Sequence, residues 1–482
     1  MDGGGDLFID REVELAELRS LAERGKPTLA LVYGRRRVGK TYLLDHAWPD
    51  RRVFYFVAAD ATEELNRAEL IRELGRWSGR QLDLNDYPTW RTVFRLLGDL
   101  ARDLPLIAVL DEFQYLMGKP DAIASQLVAI FDRELRDRSL LLILSGSSVS
   151  MMEGLLHGSQ PLFGRSGWSA RINPFDYRDA ARMVPNRPVR EQALVYGIFG
   201  GTPRYLAAID PGEPLSAAVM RTFLSPRGEV HLQLEHLIEQ EQGIRKASDY
   251  NSVLAAIAHG QHEIGQIVNR SGVEVASVRV ALKTLEELGY VWRERNFDAS
   301  GPTPYQYRIA ENAVAFWFRF VQANRSQLST GATQEVWDHH VEPYLDGYMG
   351  KIFERMCREA FTRYHGRYSL AAAHDWARWE GQDRNRRPIE IDLVVRLDDQ
   401  RLLTGEIKWS SKPQGPGLYT DLVRDLQDLG RSGQGWAKDA LAADCSSGHL
   451  FVSAGGFAPE MVNLITSRED IIGWTLDDLY GP

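Results

Sequence analysis

The chain has 482 residues, of which 44% are hydrophobic and 26% are charged, and its formal net charge at pH 7 is −9. A chain of this length suffices for about three domains, each with its own hydrophobic core. Ordinary glycine and proline contents exclude collagen-like and low-complexity proteins, and the acidic balance argues against a surface that is basic throughout, while a local basic groove stays compatible with it.

The two cysteines, Cys357 and Cys445, lie far apart and have no metal-ligand spacing around them. This excludes a zinc ribbon, an iron–sulfur cluster and a disulfide framework, and it favours a reducing compartment. The first ten residues lack the basic and apolar regions of a signal peptide, and no apolar run approaches the roughly 20 residues of a membrane span. We therefore expect a soluble, cytoplasmic protein without a membrane partner.

The first 245 residues change pattern once. Residues 1–160 alternate short apolar runs with amphipathic stretches, as a doubly wound α/β domain requires. We predict buried parallel strands at 28–34, 52–58, 106–112 and 140–146. From 161 to 245 the strand pattern fades and proline-containing breaks separate helical pieces, which predicts a helical lid.

Residues 246–325 have a third pattern, in which helical segments surround a turn at Gly272 and two strands follow. This order is typical of a winged helix-turn-helix. Its presumed recognition helix carries Arg279 and Lys283, which suits DNA, although winged helices also dock other proteins. Residues 326–482 predict a second α/β domain.

The strand at 28–34 leads into the eight-residue phosphate-binding pattern GxxxxGKT and then into a helix. Its glycines let backbone N–H groups turn toward phosphate, Lys40 reaches the β- and γ-phosphates, and Thr41 ligates Mg²⁺. We assign to nucleotide binding the residues Gly34, Arg35, Arg36, Arg37, Val38, Gly39, Lys40, Thr41 and Tyr42.

An acidic pair, Asp111 and Glu112, ends the predicted strand at 106–112. Asp111 is expected to join Thr41 in the Mg²⁺ shell, and Glu112 to orient the attacking water as a catalytic residue. Ser147, at the end of the next strand, is a candidate sensor of the γ-phosphate or a simple turn serine. Together these residues predict hydrolysis of ATP.

Several motifs of the first 210 residues resemble those of the archaeal-type ATPases, relatives of the AAA+ and STAND nucleoside triphosphatases. They are FIDRE (8–12), GRRRVGKT (34–41), LDEFQYL (110–116), SGSS (145–148), PLFGRSG (161–167) and GGTPRYL (200–206). The resemblance implies that FIDRE lies on the adenine side and that the segment around Pro203 closes onto the nucleotide. It also implies that Arg165 is a catalytic arginine at the γ-phosphate, and an Arg165 acting in trans would require a homo-oligomer.

Two apolar strands near the C-terminus carry a further polar set. If residues 398–400 form the turn between them, Asp392 lies opposite Glu406 with Cβ atoms about 5 Å apart. Lys408 shares the face of Glu406 because strand side chains alternate. Glu354, on a preceding helix, is expected to flank this cluster.

Buried carboxylates such as Asp392 and Glu406 are costly unless they are paired or bind metal. We predict that they bind Mg²⁺, or Mn²⁺, with Glu354 and the carbonyl of Ile407, while Lys408 positions the attacking water or stabilises phosphorane charge. The set resembles the PD-(D/E)xK nuclease superfamily, which implies a restriction-endonuclease-like fold. Glu390 is an alternative ligand, and an ion-paired sheet face is the alternative explanation of the pattern.

The sequence thus predicts a multidomain α/β protein with a P-loop ATPase core (1–160), a helical lid (161–245), a winged helix (246–325) and a nuclease-like domain (326–482). The predicted function is an ATP-hydrolysing, DNA-directed enzyme with a Mg²⁺-dependent nuclease, for which genome defence or DNA repair would be natural settings. The main alternative is a nucleotide-dependent switch that binds DNA or protein with an inactive nuclease-like domain. A chaperone-like ATPase with peptide partners is a third hypothesis.

Overall fold

A computed structural model describes residues 8–102, 104–116, 120–156, 162, 164, 166–241, 244, 246–298 and 305–481. They divide into two compact units. The N-terminal unit holds the chain up to Phe175, the segment Thr202–Arg204 and a short stretch beginning at Glu241, and the C-terminal unit holds the remainder. None of the helices in these ranges is long and apolar enough to cross a membrane.

The N-terminal unit is built on a five-stranded parallel sheet of order β2-β3-β4-β1-β5. Its strands are β1 (Thr28–Tyr33), β2 (Val53–Val57), β3 (Leu106–Asp111), β4 (Leu140–Gly146) and β5 (Trp168–Arg171). The four predicted strands are confirmed to within a residue at either end. The region 161–245 is not helical throughout, since β5 lies in it; this edge strand is mostly half-buried, so its sequence lacks the apolar run of the central strands.

Helices cover both faces of this sheet. They are α1 (Glu12–Glu23), α2 (Lys40–Ala47), α3 (Glu63–Ser78), α4 (Trp90–Leu100), α5 (Pro120–Arg133) and α6 (Val149–Gly154). Successive side chains of β1 enter two different cores, because strand side chains alternate: Leu29 and Leu31 pack with α3 to α6, and Ala30 and Val32 with α1 and α2. All strands run the same way, so their carboxyl ends share one edge, where ligands of such sheets bind.

The helices that follow β5 are short. They are α7 (Tyr177–Arg182), α8 (Val189–Phe199), α9 (Pro203–Leu206), α10 (Leu215–Val219) and α11 (Glu229–Glu235). Apart from the first residues of α9, they belong to the C-terminal unit. The Tyr177 hydroxyl donates to the carbonyl of Leu479, near the end of the chain. The predicted lid helices are therefore built into the same unit as the C-terminal sheet.

The winged helix is present as predicted. It consists of α12 (Ala247–Ala258), α13 (Ile264–Ser271), α14 (Val275–Glu287) and the antiparallel pair β6 (Val291–Glu294) and β7 (Gln306–Ile309). Gly272 ends α13 with φ of 69°, a left-handed conformation that glycine adopts without steric cost.

The C-terminal sheet is mixed, with the order β12-β11-β10-β9-β8. Its strands are β8 (Ala373–Gln382), β9 (Pro388–Leu397), β10 (Leu402–Lys408), β11 (Ser446–Ser453) and β12 (Ile471–Thr475); β8, β9 and β10 run antiparallel and β10, β11 and β12 parallel. The helices of this part are α15 (Asn312–Phe316), α16 (Arg325–Ser329), α17 (Thr333–Val336), α18 (Leu345–Tyr364), α19 (Gly417–Arg431), α20 (Gly435–Asp439), α21 (Pro459–Ser467) and α22 (Leu476–Tyr480).

The end of the wing is fastened to this sheet. Phe297 is buried in the core of the C-terminal sheet, where its ring meets Trp436 edge to face with centroids 5.5 Å apart. Its backbone N–H donates to the carbonyl of Arg378 at 2.8 Å, and the side chain of Asn296 exchanges hydrogen bonds with the backbone of Glu380. The wing and the sheet therefore share one hydrophobic core.

Candidate functional site

The phosphate loop connects β1 to α2 at the carboxyl edge of the N-terminal sheet. Gly34 passes so close to the next strand that a Cβ there would lie 2.2 Å from the carbonyl oxygen of Ile172. Gly39 precedes α2 with φ of 94°, in the left-handed region that favours glycine. Both glycines of the motif are thus required by the backbone, and the loop ends at a helix N-terminus, where anions bind.

Lys40 folds back across this loop. Its Nζ donates to the carbonyl oxygens of Gly34 at 2.8 Å and Arg35 at 3.0 Å, and the residue is buried. Burial lowers the pKa of the ammonium, and the nearby carboxylates of Glu112 and Asp111 act in the opposite direction. Both of these acceptors in the described part of the chain are neutral carbonyls, so the charge of Lys40 is available to an anionic ligand.

Asp111 is the predicted acid at the end of β3. Its Oδ2 accepts from the Thr41 hydroxyl at 3.4 Å and from the Tyr55 hydroxyl at 2.6 Å. Thr41 and Asp111 thus supply two oxygens side by side, the donor type that Mg²⁺ prefers. Tyr55 was not predicted, since its proximity to Asp111 depends on β2 lying next to β3, an order that the sequence does not reveal.

Glu112 lies beyond β3 in the left-handed region, with φ of 51°. Its Oε2 accepts from the Ser147 hydroxyl at 2.7 Å and from the side-chain amide of Gln114, which also donates to Ser147 at 3.1 Å. The structure therefore brings the predicted catalytic acid and the predicted sensor serine together. Gln114 was missed, although it stands two residues after Glu112 in the LDEFQYL motif.

Other residues assigned to nucleotide binding surround the loop. Tyr42 stacks on Phe8 of the FIDRE motif, with ring centroids 5.6 Å apart. The Pro203 Cγ lies 3.9 Å from the point where a Cβ of Gly39 would be. Arg36 donates to the Tyr115 hydroxyl at 3.1 Å, Arg35 and Val38 are buried, and Arg37 adopts a positive φ of 69°. Arg165 lies outside the described residues, and its role stays a prediction.

The second predicted set lies on β9 and β10. These strands pair in the predicted register, in which Leu393 is the partner of Gly405 and Asp392 falls opposite Glu406. The Lys408 Nζ donates to Asp392 Oδ2 at 2.7 Å and to Glu406 Oε2 at 2.6 Å. The backbone N–H of Ile407 also donates to Asp392, at 3.1 Å. We call Asp392, Glu406 and Lys408 the carboxylate–lysine cluster.

The electrostatics of this cluster are uneven. Burial, together with the charge of Asp392, raises the pKa of Glu406 to about 8, against the opposing effect of Lys408. Burial also acts to raise the pKa of Asp392, but the charge and hydrogen bond of Lys408 and the N–H of Ile407 outweigh it and lower that pKa. The two carboxylates in turn raise the pKa of Lys408, although burial opposes them.

Glu354 of α18 approaches this cluster, as predicted. It accepts from the Lys351 Nζ at 2.7 Å, and it lines the same cavity as Asp392. Burial raises its pKa, with Lys351 opposing and Asp392 adding to the shift. Glu390, the alternative ligand, instead pairs with Lys351 and Arg378, each at 3.0 Å. Within the described residues, no three His, Cys, Asp or Glu side chains are already arranged to hold a metal ion.

The winged helix presents few free cations. Arg279 and Lys283 of α14 are exposed, with Lys283 3.8 Å from Glu287. In the wing, Arg293 pairs with Glu286 at 3.0 Å, and both Arg293 and Arg295 lie over the ring of Tyr305, at 4.5 and 3.9 Å from its centroid. The exposed face of α14 is therefore the part of the winged helix best able to meet a partner.

Comparisons with known proteins support the nucleotide site and assign no function to the C-terminal part. Residues 8–209 match an ATPase domain predominantly from Archaea, and residues 317–416 match a family of archaeal and bacterial proteins of unknown function. An uncharacterized protein of Methanocaldococcus jannaschii is 27% identical over 439 residues, which cover 88% of this chain and 93% of that protein.

Among solved structures, a Walker-type ATPase of Pyrococcus abyssi aligns with a TM-score of 0.50 and 22% identity, over 65% of this chain and 96% of the other. The ORC2 protein of Aeropyrum pernix aligns over 67% of this chain and 98% of its own, with a TM-score of 0.42 and 15% identity. The first likeness extends to the fold alone, and the second is too distant to bear on function. The family match and the geometry of the phosphate loop thus show that residues 8–209 are similar to the ATPase domains found predominantly in Archaea.

Proposed function

We propose that this protein is an ATP-hydrolysing, DNA-directed enzyme whose C-terminal unit cleaves phosphodiester bonds with Mg²⁺. The observation that carries the proposal is the carboxylate–lysine cluster, in which two buried acids from neighbouring strands meet one lysine. Structural cores seldom contain a cluster of buried charged side chains. Burying one charge costs about several kcal/mol of desolvation free energy unless a partner compensates it. Its position in a chain with an ATPase domain suggests that nucleotide hydrolysis governs its use.

At the nucleotide site, the proposal gives each residue a distinct task. Lys40 neutralises charge on the β- and γ-phosphates, and Glu112, held by Ser147 and Gln114, orients the attacking water. The oxygens of Thr41 and Asp111 fit a Mg²⁺ ion, which when bound would neutralise developing phosphate charge. Tyr55 fixes the carboxylate of Asp111 by its hydrogen bond.

At the cluster, the donor chemistry also fits a divalent ion, since Glu354, Asp392, Glu406 and the Ile407 carbonyl all offer oxygen. The Lys408 ammonium lies between two of these carboxylates, and it would give up its hydrogen bond to at least one of them if a divalent ion were held there. Once displaced, Lys408 is placed to hydrogen-bond the attacking water or to stabilise charge on the phosphate. Mn²⁺ is expected to replace Mg²⁺ because it accepts the same oxygen ligands.

The test is cleavage of linear and circular DNA in Mg²⁺, in Mn²⁺ and in EDTA, with and without ATP. We expect metal-dependent cutting that is lost in Asp392→Ala and Lys408→Ala. Asp399→Ala is the matched control, because Asp399 lies in the turn between the same strands and pairs with Arg401 outside the cluster. An ATP effect on the cutting rate would measure the coupling of the two sites. Cutting that survives Asp392→Ala would overturn the nuclease proposal.

A second candidate function is a nucleotide-dependent switch that binds DNA or protein without cutting it. The observation that favours it is that Lys408 already compensates the two carboxylates, so the cluster needs no metal for its stability. DNA affinity that persists in Asp392→Ala, with no cutting by the wild type in either metal, would favour the switch. We also propose a homo-oligomer, in which Arg165 acts on the nucleotide of a neighbouring copy. Light scattering with and without ATP would measure its molar mass.

A further inference from the structure

A cavity of about 300 Å³ lies next to the carboxylate–lysine cluster, wholly within the C-terminal unit. Its wall combines Trp292 of β6, Arg358 of α18 and Trp376 of β8 with Glu354 and Asp392. The winged helix and the C-terminal sheet thus enclose it together. We call it the wing cavity.

The wing cavity is rich in cationic groups whose hydrogen-bonding capacity is not filled. The Nε atoms of Arg355 and Arg378, both lining residues, are buried and have no hydrogen-bond partner among the described residues. Arg358 is exposed, and within the same ranges its guanidinium has neither a hydrogen-bond nor an ion-pair partner. These two Nε atoms are closed to solvent, and Arg378 already pairs with Glu380 and Glu390, so the exposed guanidinium of Arg358 is the group that can meet an anionic ligand.

Each acid in the wall lies beside a cation. Glu294 pairs with Arg308, Glu354 with Lys351 and Asp392 with Lys408. The fourth acid, Glu359, lies 4.0 Å from the Nε of Arg355, and its Oε2 is buried without a hydrogen-bond partner among the described residues. Their charge is therefore largely compensated within the protein, and the guanidinium of Arg358 is the group left to attract a ligand.

The two indoles give the cavity a second character. Trp292 and Trp376 come from different elements. Both are half-buried, so part of each indole ring stays accessible to a ligand. Aromatic planes beside guanidinium groups are the combination that binds unpaired bases and their phosphates. The volume is at the lower end for small-molecule pockets and is far too small for a duplex.

We propose that the wing cavity holds one unstacked nucleotide of a single strand, with the neighbouring phosphodiester at the carboxylate–lysine cluster. This inference rests on the proposed nuclease and narrows its substrate to single-stranded nucleic acid, to a strand end, or to a nucleotide turned out of a duplex. Turning a base out of a duplex costs unpairing and unstacking free energy that a single strand does not incur, so single strands should bind better than closed duplexes.

The test measures binding in EDTA, where no cutting interferes. The probe is a fluorescein-labelled oligothymidylate of about one dozen nucleotides, compared by anisotropy with a blunt duplex of the same length; oligouridylate distinguishes RNA from DNA. Trp292→Ala should weaken single-strand binding about 5- to 150-fold, and Trp292→Phe should restore most of it, since stacking on one indole contributes about 1–3 kcal/mol. Arg358→Ala, at an exposed position that folding does not require, should weaken it about fivefold.

Arg424→Ala serves as the matched control, because Arg424 is equally exposed on α19 and pairs with Asp421 outside the cavity. Equal affinity of the wild type for duplex and single strand, or unchanged binding in both Trp292→Ala and Arg358→Ala, would overturn the inference. If both cavity variants bind normally while Asp392→Ala abolishes cutting, the cavity proposal fails and the nuclease proposal stands. If the cavity variants bind more weakly but the wild type never cuts DNA, the cavity stands as a binding site and the nuclease proposal fails.

Discussion

The two units each contain one lysine at the centre of their polar site, and the two lysines are held in opposite ways. Lys40 donates to neutral carbonyls, and burial lowers its pKa. Lys408 donates to two carboxylates, which raise its pKa. The first lysine therefore has a positive charge that a phosphate can still satisfy, whereas the charge of the second is satisfied within the protein.

This difference bears on how each site is loaded. An anion beside Lys40 would displace no charged partner, because Lys40 donates to the neutral carbonyls of Gly34 and Arg35. A cation at the carboxylate–lysine cluster must compete with Lys408 for the same oxygens. Lys40 thus has no acidic hydrogen-bond partner, whereas both carboxylates of the C-terminal cluster are already bonded to Lys408.

The largest effect is expected at Lys40. Lys40→Ala removes the cation that meets the β- and γ-phosphates, and ATP turnover should fall about 100- to 1,000-fold. The measurement is phosphate release at saturating ATP. Lys26→Ala, an exposed lysine in the same unit, should keep full turnover. Turnover retained in Lys40→Ala would sink the ATPase assignment.

The next effect tests whether Lys408 holds the cluster closed. Lys408→Met leaves two buried carboxylates without their shared cation, and the free energy of unfolding should fall by about 2 kcal/mol, a value reduced because Lys408 is partly exposed. Urea unfolding gives the measurement, with the exposed Lys412→Met as control. Mn²⁺ should stabilise Lys408→Met more than the wild type, since the competing ammonium is gone; equal stabilisation would contradict the closed-site view.

A third prediction concerns His449, a titratable residue of the C-terminal sheet that lies outside the carboxylate–lysine cluster. His449 is buried beside Thr404, and burial lowers its pKa to about 4 from the ordinary 6.5, with Asp470 opposing and Arg468 adding to the shift. Below pH 6.5 the unfolded chain takes up a proton that the folded one refuses, so stability is complete above that pH and falls as the pH drops toward 4.

For His449 alone, this loss should reach about 2 kcal/mol between about pH 8 and about pH 5. Urea midpoints at the two pH values measure it. In His449→Gln the pH dependence should shrink by that amount. An unchanged dependence would mean that other groups, the cluster included, govern the acid sensitivity.

The smallest effect concerns Tyr55. Tyr55→Phe removes one hydrogen bond to Asp111 and leaves the packing intact, so ATP turnover should fall about tenfold or less. Steady-state kinetics over a range of Mg²⁺ concentrations make the test. We expect the variant to need more Mg²⁺ for half-maximal rate; a change in maximal rate alone would place Tyr55 outside the metal shell.

Much of the fold was predictable because it depends on local patterns. The central strands are continuous apolar runs, and the turn after Leu397 is enough to fix the register that sets Asp392 opposite Glu406. The edge strands β5 and β8 were missed, since few of their residues are fully buried and each carries charged residues where a central strand would be apolar. Strands β11 and β12 were not predicted individually either.

The sites were predictable only where their residues are close in sequence or joined by a turn. Lys40, Thr41 and the pair Asp111 and Glu112 belong to short motifs. Tyr55 was not predictable, because it depends on the order of strands. The same holds for the wing cavity, which Trp292 and Trp376 line together because β6 and β8, far apart in the chain, pack in one unit.

The anchoring of Phe297 limits where the C-terminal half can be divided into stable fragments. Its ring fills the core of a sheet that begins some 75 residues later in the chain, at Ala373. Any fragment that ends after the winged helix would present this ring to water, and any fragment that starts after it would leave an unfilled hole against Trp436. The two parts are thus one folding unit, and both would have to be synthesised before either becomes stable.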